Sequence, residues 1–567
     1  MSSSPTSPLD KKQGDPITTT QTVQTPNASD QELGGAAVPS YLPPGIDEKK
    51  LVRKIDWALI PFLSLLYLLS FLDRSAIGNA KLYGLEKELK LTDEQYNLCL
   101  TIFFFPYALF EVPSNILLKK LRPSVWFPLI TFLVGVCMMS QGLVNNYGGL
   151  MTARFFLGVT EAGLFPGVNA LLSGWYKRNE FGLRAAVFFS AATASGAFGG
   201  LLSAAIHNMD GVGGYSGWRW IFILIGIFTS LCGIAAIWLV QDYPETAKFL
   251  TEDERKAVIA RLQSDQQFSA GGEEFQWKNV WKSILDWKTW VGMGMYSGCD
   301  GPLYAFSLFT PTVVKQLGYT ATRANLVSVP IYVVACIFTV IVGFSADRTA
   351  NRTLYNIGLS LLGMAGYAIL IGNDVTKRPG VSYFGIYLGA IGIYPLIANT
   401  ISLVAGNAEG AYKRSVVMAI VISWGNINGA VSSNIYPSRT GPRFRMGHGI
   451  VLGYIFSGLI FSTIYHFGVK LENRKRAQGL RDEKYLREEE EVEVESEVGD
   501  KSSGGVERRK TLEIRAKEER EKEISQEKSK VKSILRRLDM APGGTYVDVD
   551  EARRLKGDEW SGFRYRA

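Results

Sequence analysis

Long apolar stretches recur along this chain from residue 57 to residue 468, and they constrain its fold more than any other feature. A helix that crosses a bilayer needs about 20 mostly apolar residues. Stretches of that kind lie near 57–79, 95–118, 124–145, 150–175, 184–206 and 218–240, and then, after a polar gap, near 288–313, 324–345, 354–372, 381–406, 413–436 and 446–468. Backbone groups inside lipid must find their hydrogen bonds within the spanning structure, so such a pattern is read as helices. The expected fold is an all-α membrane protein with twelve transmembrane helices in two six-helix halves. The mean hydropathy of +0.07 conceals this because polar ends dilute the apolar middle.

Those ends define the remaining organisation. Residues 1–50 are rich in Ser, Thr, Pro and Gln and contain no apolar core, which predicts a disordered cytosolic tail rather than a cleavable signal peptide. The halves are expected over 51–240 and 288–468, joined by a cytosolic linker, 241–287, and followed by a charged cytosolic tail, 469–567. In the linker, "TEDERKAVIARL" opens with Thr251 and Glu254 at capping-box spacing, which predicts an amphipathic helix. In the tail, "KTLEIRAKEEREKEISQEKSKVKSILRRL" has the i,i+4 charge pattern of a solvated helix.

The formal charge of +8 does not point to nucleic acid, because the basic residues mostly flank the apolar stretches. Lys/Arg excess marks the cytosolic side of short loops. The segments "KKLRP" (119–123), "YKRNEFGLR" (176–184), "DRTANR" (347–352) and "AYKRS" (411–415) then put both termini inside, although "KLYGLEKELK" (81–90) and "SRTGPRFR" (438–445) spoil the pattern outside. The expected setting is the plasma membrane, with lipid around a monomer. Cys99, Cys137, Cys232, Cys299 and Cys336 lack metal-ligand spacing and read as packing residues. With no "GxxxxGK[ST]" loop and no catalytic constellation, the chain is expected to use neither ATP nor a cofactor and not to be an enzyme.

Charges inside the apolar stretches are the functional candidates, since each is costly in lipid. Asp73 and Arg74 sit in the outer part of the first stretch, and Arg154 and Glu161 share the fourth. Seven residues is nearly two helical turns, so Arg154 and Glu161 share a face, roughly 10 Å apart along the axis. The four are expected at similar depths, facing one another across a wet cavity. Arg74 would bind a substrate carboxylate through its planar fork. Asp73 and Glu161 would carry a coupling proton, and Arg154 would neutralise Glu161 or share the anion. A static ion-pair network is the alternative. Asn426 and Asn434 in the eleventh stretch roughly share a face and could meet a substrate's ring or amide edge, or bridge helices; Asn428 lies between them. Asp300 in "YSGCDGPLYAF" (296–306) could shape substrate choice, or hydrogen-bond to Tyr304 or other neighbours.

Two levels of resemblance follow. "GFSADRTANR" (343–352) carries Gly343, Asp347, Arg348 and Arg352 in the G-x-x-x-D-R-x-x-x-R pattern and resembles the gating loop of the major facilitator superfamily. The corresponding first-half segment, "EVPSNILLKKLRPSVW" (111–126), lacks the acid of that loop. Together with "FLDRSAIGNA", "ARFFLGVTEAGLFPG", "GWRWIFILIGI", "PETAKFLTEDER", "SWGNINGAVSSNIYP" and the closing "GDEWSGFRY", these motifs resemble the fungal anion:cation symporter family of allantoate and nicotinate permeases. The resemblance implies a proton-coupled symporter that imports a small organic anion by alternating access, with Asp73, Arg74, Arg154 and Glu161 serving substrate and protons. A nutrient receptor on a transporter fold, or a uniporter or exporter of a neutral solute, is the alternative.

Overall fold

The computed structural model describes residues 46–264 and 277–481, except 350, 376, 409 and 410, together with 505–526 and scattered residues around that helix. The first 45 residues and most of the C-terminal tail lie outside the described residues. Among the described residues twelve long helices follow one another across the molecule, here called spans 1–12. The first six are Glu48–Leu82, Asp93–Leu121, Pro123–Leu143, Tyr147–Ser173, Arg178–Ile206 and Gly217–Leu239. The second six are Trp287–Lys315, Ala321–Thr349, Arg352–Gly372, Pro379–Gly406, Ala411–Ser432 and Arg445–Ala477.

Local signals set where these helices begin. Asp47 accepts from the amides of Lys49 and Lys50 at the start of span 1. Thr92 and Gln95 form a reciprocal capping box at span 2, satisfying backbone N–H groups that would otherwise be orphaned. Pro123 opens span 3, where its missing N–H costs nothing. Span 1 begins at Glu48, well before the apolar run at 57, because Leu51, Val52 and Ile55 bury one face of its first turns.

Ten of the twelve helices are long and apolar enough to cross a membrane by composition alone; spans 2 and 7 are not among them. Span 2 contains Glu111, Pro106 and Pro113, and span 7 contains Asp300, Pro302, Pro311 and four glycines. Each of these two less apolar helices contributes a buried acid, Glu111 in one and Asp300 in the other. Outward, large apolar side chains such as Phe105, Leu109, Phe156, Leu231, Ile337 and Phe467 are exposed, as a lipid-facing surface requires.

Spans 1–6 and 7–12 each pack mainly among themselves, and the halves meet along spans 5 and 8, 2 and 11, 5 and 10, and 1 and 7. Both ends of the helical core and the described residues of the 241–287 connection lie on one face, the linker face, as do the described residues of the four basic segments named above. On the opposite face, Lys81 pairs with Glu86 at 2.8 Å and Arg443 pairs with Asp374, so two of the cations that depart from the charge pattern are neutralised. The linker helix Glu252–Ser264 forms with the expected Thr251–Glu254 cap and docks on the first half, Arg261 meeting Glu180 at 2.9 Å and Glu254 meeting Lys54 at 2.7 Å. The charged tail contains a helix over Gly505–Gln526. Tyr565, near the C-terminus, is buried against the second half: its hydroxyl lies 2.8 Å from Lys288 Nζ and 2.9 Å from Arg476 Nη2.

Candidate functional site

Where the two halves meet at the centre, a chain of buried polar groups crosses the seam. Span 1 supplies Arg74, whose Nη2 is 2.7 Å from Glu161 Oε1 of span 4, with side-chain exposures of 4 % and 0 %. Ser70, one turn earlier on span 1, donates to the same Glu161 oxygen. Glu161 occupies the last position of a helix that stops there and resumes at Leu164. At the break span 2 comes close: a Cβ on Gly163 would stand 1.7 Å from Ser114 Oγ of that span. Interrupted helices near the membrane midplane are a recurring way to build transport sites.

From Arg74 the chain continues into the second half. Arg74 Nη1 donates to the Tyr304 hydroxyl of span 7 at 2.5 Å, and that hydroxyl donates to Asn426 Oδ1 of span 11 at 2.7 Å. Asn426 Nδ2 and Ser423 Oγ donate to Glu111 Oε2 of span 2 at 3.1 and 3.0 Å. Four aromatic rings wall the Arg74 guanidinium, with centroids 4.9 Å (Phe71), 5.0 Å (Phe103), 4.9 Å (Tyr107) and 5.3 Å (Tyr304) from Cζ. Faces of aromatic rings attract a guanidinium, and more strongly when water is excluded. The arrangement keeps a permanent cation in an apolar cage with one internal counter-ion.

The other expected residues are placed differently. Asp73 is fully buried but turns to span 6, where it accepts from Thr229 Oγ1 at 3.2 and 3.3 Å. Arg154 is buried beside Phe103 and donates from Nε to the Cys99 carbonyl at 3.3 Å; it does not reach Glu161. Only Arg74 and Glu161 of the expected four-charge cluster form an ion pair. Asn434 reaches Thr101 of span 2 at 2.9 Å, away from Asn426, and Asn428 bonds Ser297 and Tyr454. Tyr304 turns to Arg74 and Asn426, so it is not the partner of Asp300. The Asp300 carboxylate lies instead beside Tyr296 and the close-packed backbone of Gly425. Glu111, absent from the candidates above, also belongs to this centre. The signal was present: it is an acid inside an apolar stretch, the criterion that selected Asp73.

The second-half loop is assembled as its pattern suggests. Asp347 pairs with Arg352, and Arg352 Nη1 donates to Asn399 Oδ1 of span 10 at 2.8 Å. Gly343 lets span 8 approach span 5 so closely that a Cβ there would be 2.3 Å from that of Ala186. Arg348 is exposed at the end of span 8.

Two helical halves around a buried, charged, two-sided centre define a membrane transporter of small molecules. The chain belongs to the major facilitator superfamily, whose family model matches residues 63–433. It is a transporter and not an enzyme. A Penicillium expansum protein, the MFS-type transporter cnsO, is 36 % identical over 442 residues, covering 76 % of this chain and 85 % of that one. The high-affinity nicotinic acid transporter of Saccharomyces cerevisiae is 33 % identical over 430 residues, covering 76 % and 79 %. Among solved structures, the proton:xylose symporter XylE bound to 6-bromo-6-deoxy-D-glucose is similar in fold, with a TM-score of 0.55 at 14 % identity over 72 % of this chain and 95 % of that one.

Proposed function

We propose that this transporter imports a small planar monocarboxylate together with protons, as a member of the anion:cation symporter branch of the superfamily. The observation that carries the reading is the buried Arg74 guanidinium, ion-paired with Glu161 and walled by four aromatic rings. A guanidinium presents a fork suited to a carboxylate, and the rings offer faces for a flat substrate to stack against. The nicotinic acid transporter of yeast, whose named substrate is such a molecule, supports the same class.

The chemistry follows from competition for one cation. An entering substrate carboxylate takes hydrogen bonds from Arg74 that Glu161 now holds. Glu161, losing its counter-ion in a buried place, accommodates a proton, because an isolated buried charge is costly. Substrate and proton thus enter together and leave together when Glu161 returns to Arg74. One charge crossing 100 mV is worth about 2.3 kcal/mol, enough to drive accumulation when more protons than anions move. Asn426 would orient the substrate through Tyr304, while Asp73, Arg154 and Asn434 support the surrounding helices. The linker face is assigned to the cytosol of a plasma-membrane monomer, with Asp347, Arg348 and Arg352 at the inner gate.

Uptake of radiolabelled pyridine-3-carboxylate and benzoate into proteoliposomes, with the corresponding neutral amides as competitors, tests the reading. Carboxylate uptake should rise as external pH falls and collapse with a protonophore, and the amides should not compete. Equal competition by the amides, or uptake indifferent to the protonophore, would overturn it.

A further inference from the structure

The seam between spans 2 and 11 contains a buried acid that carboxylate binding does not require. Glu111 is 0 % exposed, and both of its hydrogen-bond donors, Ser423 and Asn426, are neutral groups of the other half. Both donate to Oε2, while Oε1 has no hydrogen-bond partner. The helices are in close contact here: a Cβ on Gly429, nearly two turns along span 11 from Ser423, would stand 2.1 Å from the Phe104 ring. Other groups act on Glu111 without bonding to it. These are Tyr107 on its own helix, Arg74 of span 1 and Asp300 of span 7.

We infer that Glu111 is a proton-operated lock between the halves: ionised, it holds span 11 against span 2, and protonated on Oε1 it releases them. The inference rests on the proton-coupled reading above and adds a second proton-sensing acid to Glu161. Hydrogen bonds to an ionised acceptor are roughly twice as strong as neutral ones, so protonation weakens both bonds across the seam at once. Glu111 lies past the middle of span 2, towards the linker face, so the part of the seam that loosens is the part that seals that face. The lock is also wired to the substrate cation. Asn426, which donates to Glu111, accepts from Tyr304, and Tyr304 accepts from Arg74. Releasing Asn426 from Glu111 frees the Tyr304 end of that chain, so opening of the seam and the state of Arg74 are coupled through two hydrogen bonds.

The test measures the seam and transport separately. Spin labels at Leu121→Cys and Val416→Cys, at the linker-face ends of spans 2 and 11, report their separation in reconstituted full-length protein whose five native cysteines are replaced. The distance should lengthen between alkaline and mildly acidic pH in the parent, because an acid buried among neutral donors gives up its proton only in alkali. In Glu111→Gln it should be long at both, and proton-driven accumulation of pyridine-3-carboxylate should fall at least tenfold. Glu111→Asp keeps a titrating carboxyl and should retain a pH response. Ser423→Ala removes one donor without touching the acid and should lengthen the distance part-way at alkaline pH, a readout that remains if Glu111→Gln does not fold. A pH response in Glu111→Gln equal to the parent's, or none in the parent, overturns the lock. If the lock behaves as stated but no proton gradient drives uptake by the parent, symport fails and the lock stands.

Discussion

Arg74 and Glu161 were legible from sequence because each is an ionisable residue in an apolar run at comparable depth, and buried opposite charges seek each other. Asp73 was not, for a simple geometric reason. Successive helical residues point about 100° apart, so Asp73 and Arg74 cannot both face one site, and the structure sends Asp73 to Thr229. Asn434 diverges from Asn426 for another reason: span 11 ends at Ser432, which leaves Asn434 in the turn beyond the helix. These positions separate two outcomes. Arg74→Lys keeps the charge but loses the fork and the ring stacking, and should raise the apparent KM for the carboxylate about tenfold or more in well-folded protein. Glu161→Gln mimics the protonated acid and cannot release its proton, so accumulation against a gradient should be lost while substrate exchange continues. Asp73→Asn keeps an acceptor for Thr229 and should still accumulate substrate. Uptake and counterflow assays on the two amide variants decide between the acids; accumulation surviving in Glu161→Gln would remove it from proton coupling.

At the scale of elements, hydropathy located the helices but not their ends. Span 1 gains its first turns and span 12 its last from amphipathic sequence that a hydropathy reading assigns to the tails. Spans 2 and 7 are diluted by the groups that make them useful, Glu111 in one and Asp300 with its glycines in the other. Short connecting elements needed tertiary partners to become visible. The helix Leu85–Glu88 on the opposite face ends in Glu88, which accepts from Ser216, from Trp218 Nε1 at 2.6 Å and from Arg219 Nε at 2.9 Å, pinning the loop after span 1 to the start of span 6. Burial works to raise the Glu88 carboxyl, but those three hydrogen bonds overcome it and hold it below the ordinary carboxylate value. A lowered folded value means the contact stabilises the protein above the unfolded carboxyl's range, near pH 4.3, and loses its contribution as pH falls through the folded value. Glu88→Gln should therefore melt below the wild type near neutral pH, with the difference shrinking only in acid below about pH 4. A difference that stays constant into acid would mean that the charge of Glu88 is not what holds the loop.

For the whole molecule, alternating access requires two halves that move against each other without coming apart. The linker face supplies a separate brace for each. Helix Glu252–Ser264 ties to Lys54 and Glu180, and its Arg261 to the Trp175 carbonyl at 3.2 Å, all in the first half. Among the described C-terminal residues, Leu555 and Tyr565 tie to the helix Trp277–Leu285 and to the second half that follows it. Tyr565 meets Lys288 and Arg476 and lies under both cations, its carbonyl accepts from Asn473 Nδ2 at 2.8 Å and its N–H donates to Asn473 Oδ1 at 3.0 Å, while Lys282 donates to the Leu555 carbonyl at 2.5 Å. None of these contacts crosses between the halves, so each brace can travel with its own half during rocking. A buried hydrogen bond to a charged group is worth about 1.5–3 kcal/mol. Tyr565→Phe removes the oxygen shared by two buried cations and should lower the melting temperature of the detergent-solubilised protein by several degrees, with the KM for carboxylate uptake within about twofold of wild type. Arg261→Ala should destabilise through the first half, and because the contacts described for the two braces lie in different halves, the double variant should show the sum of the two losses. A Tyr565→Phe protein of unchanged stability whose uptake is altered would make the tail a gate, and the independence of the two halves' braces would fail.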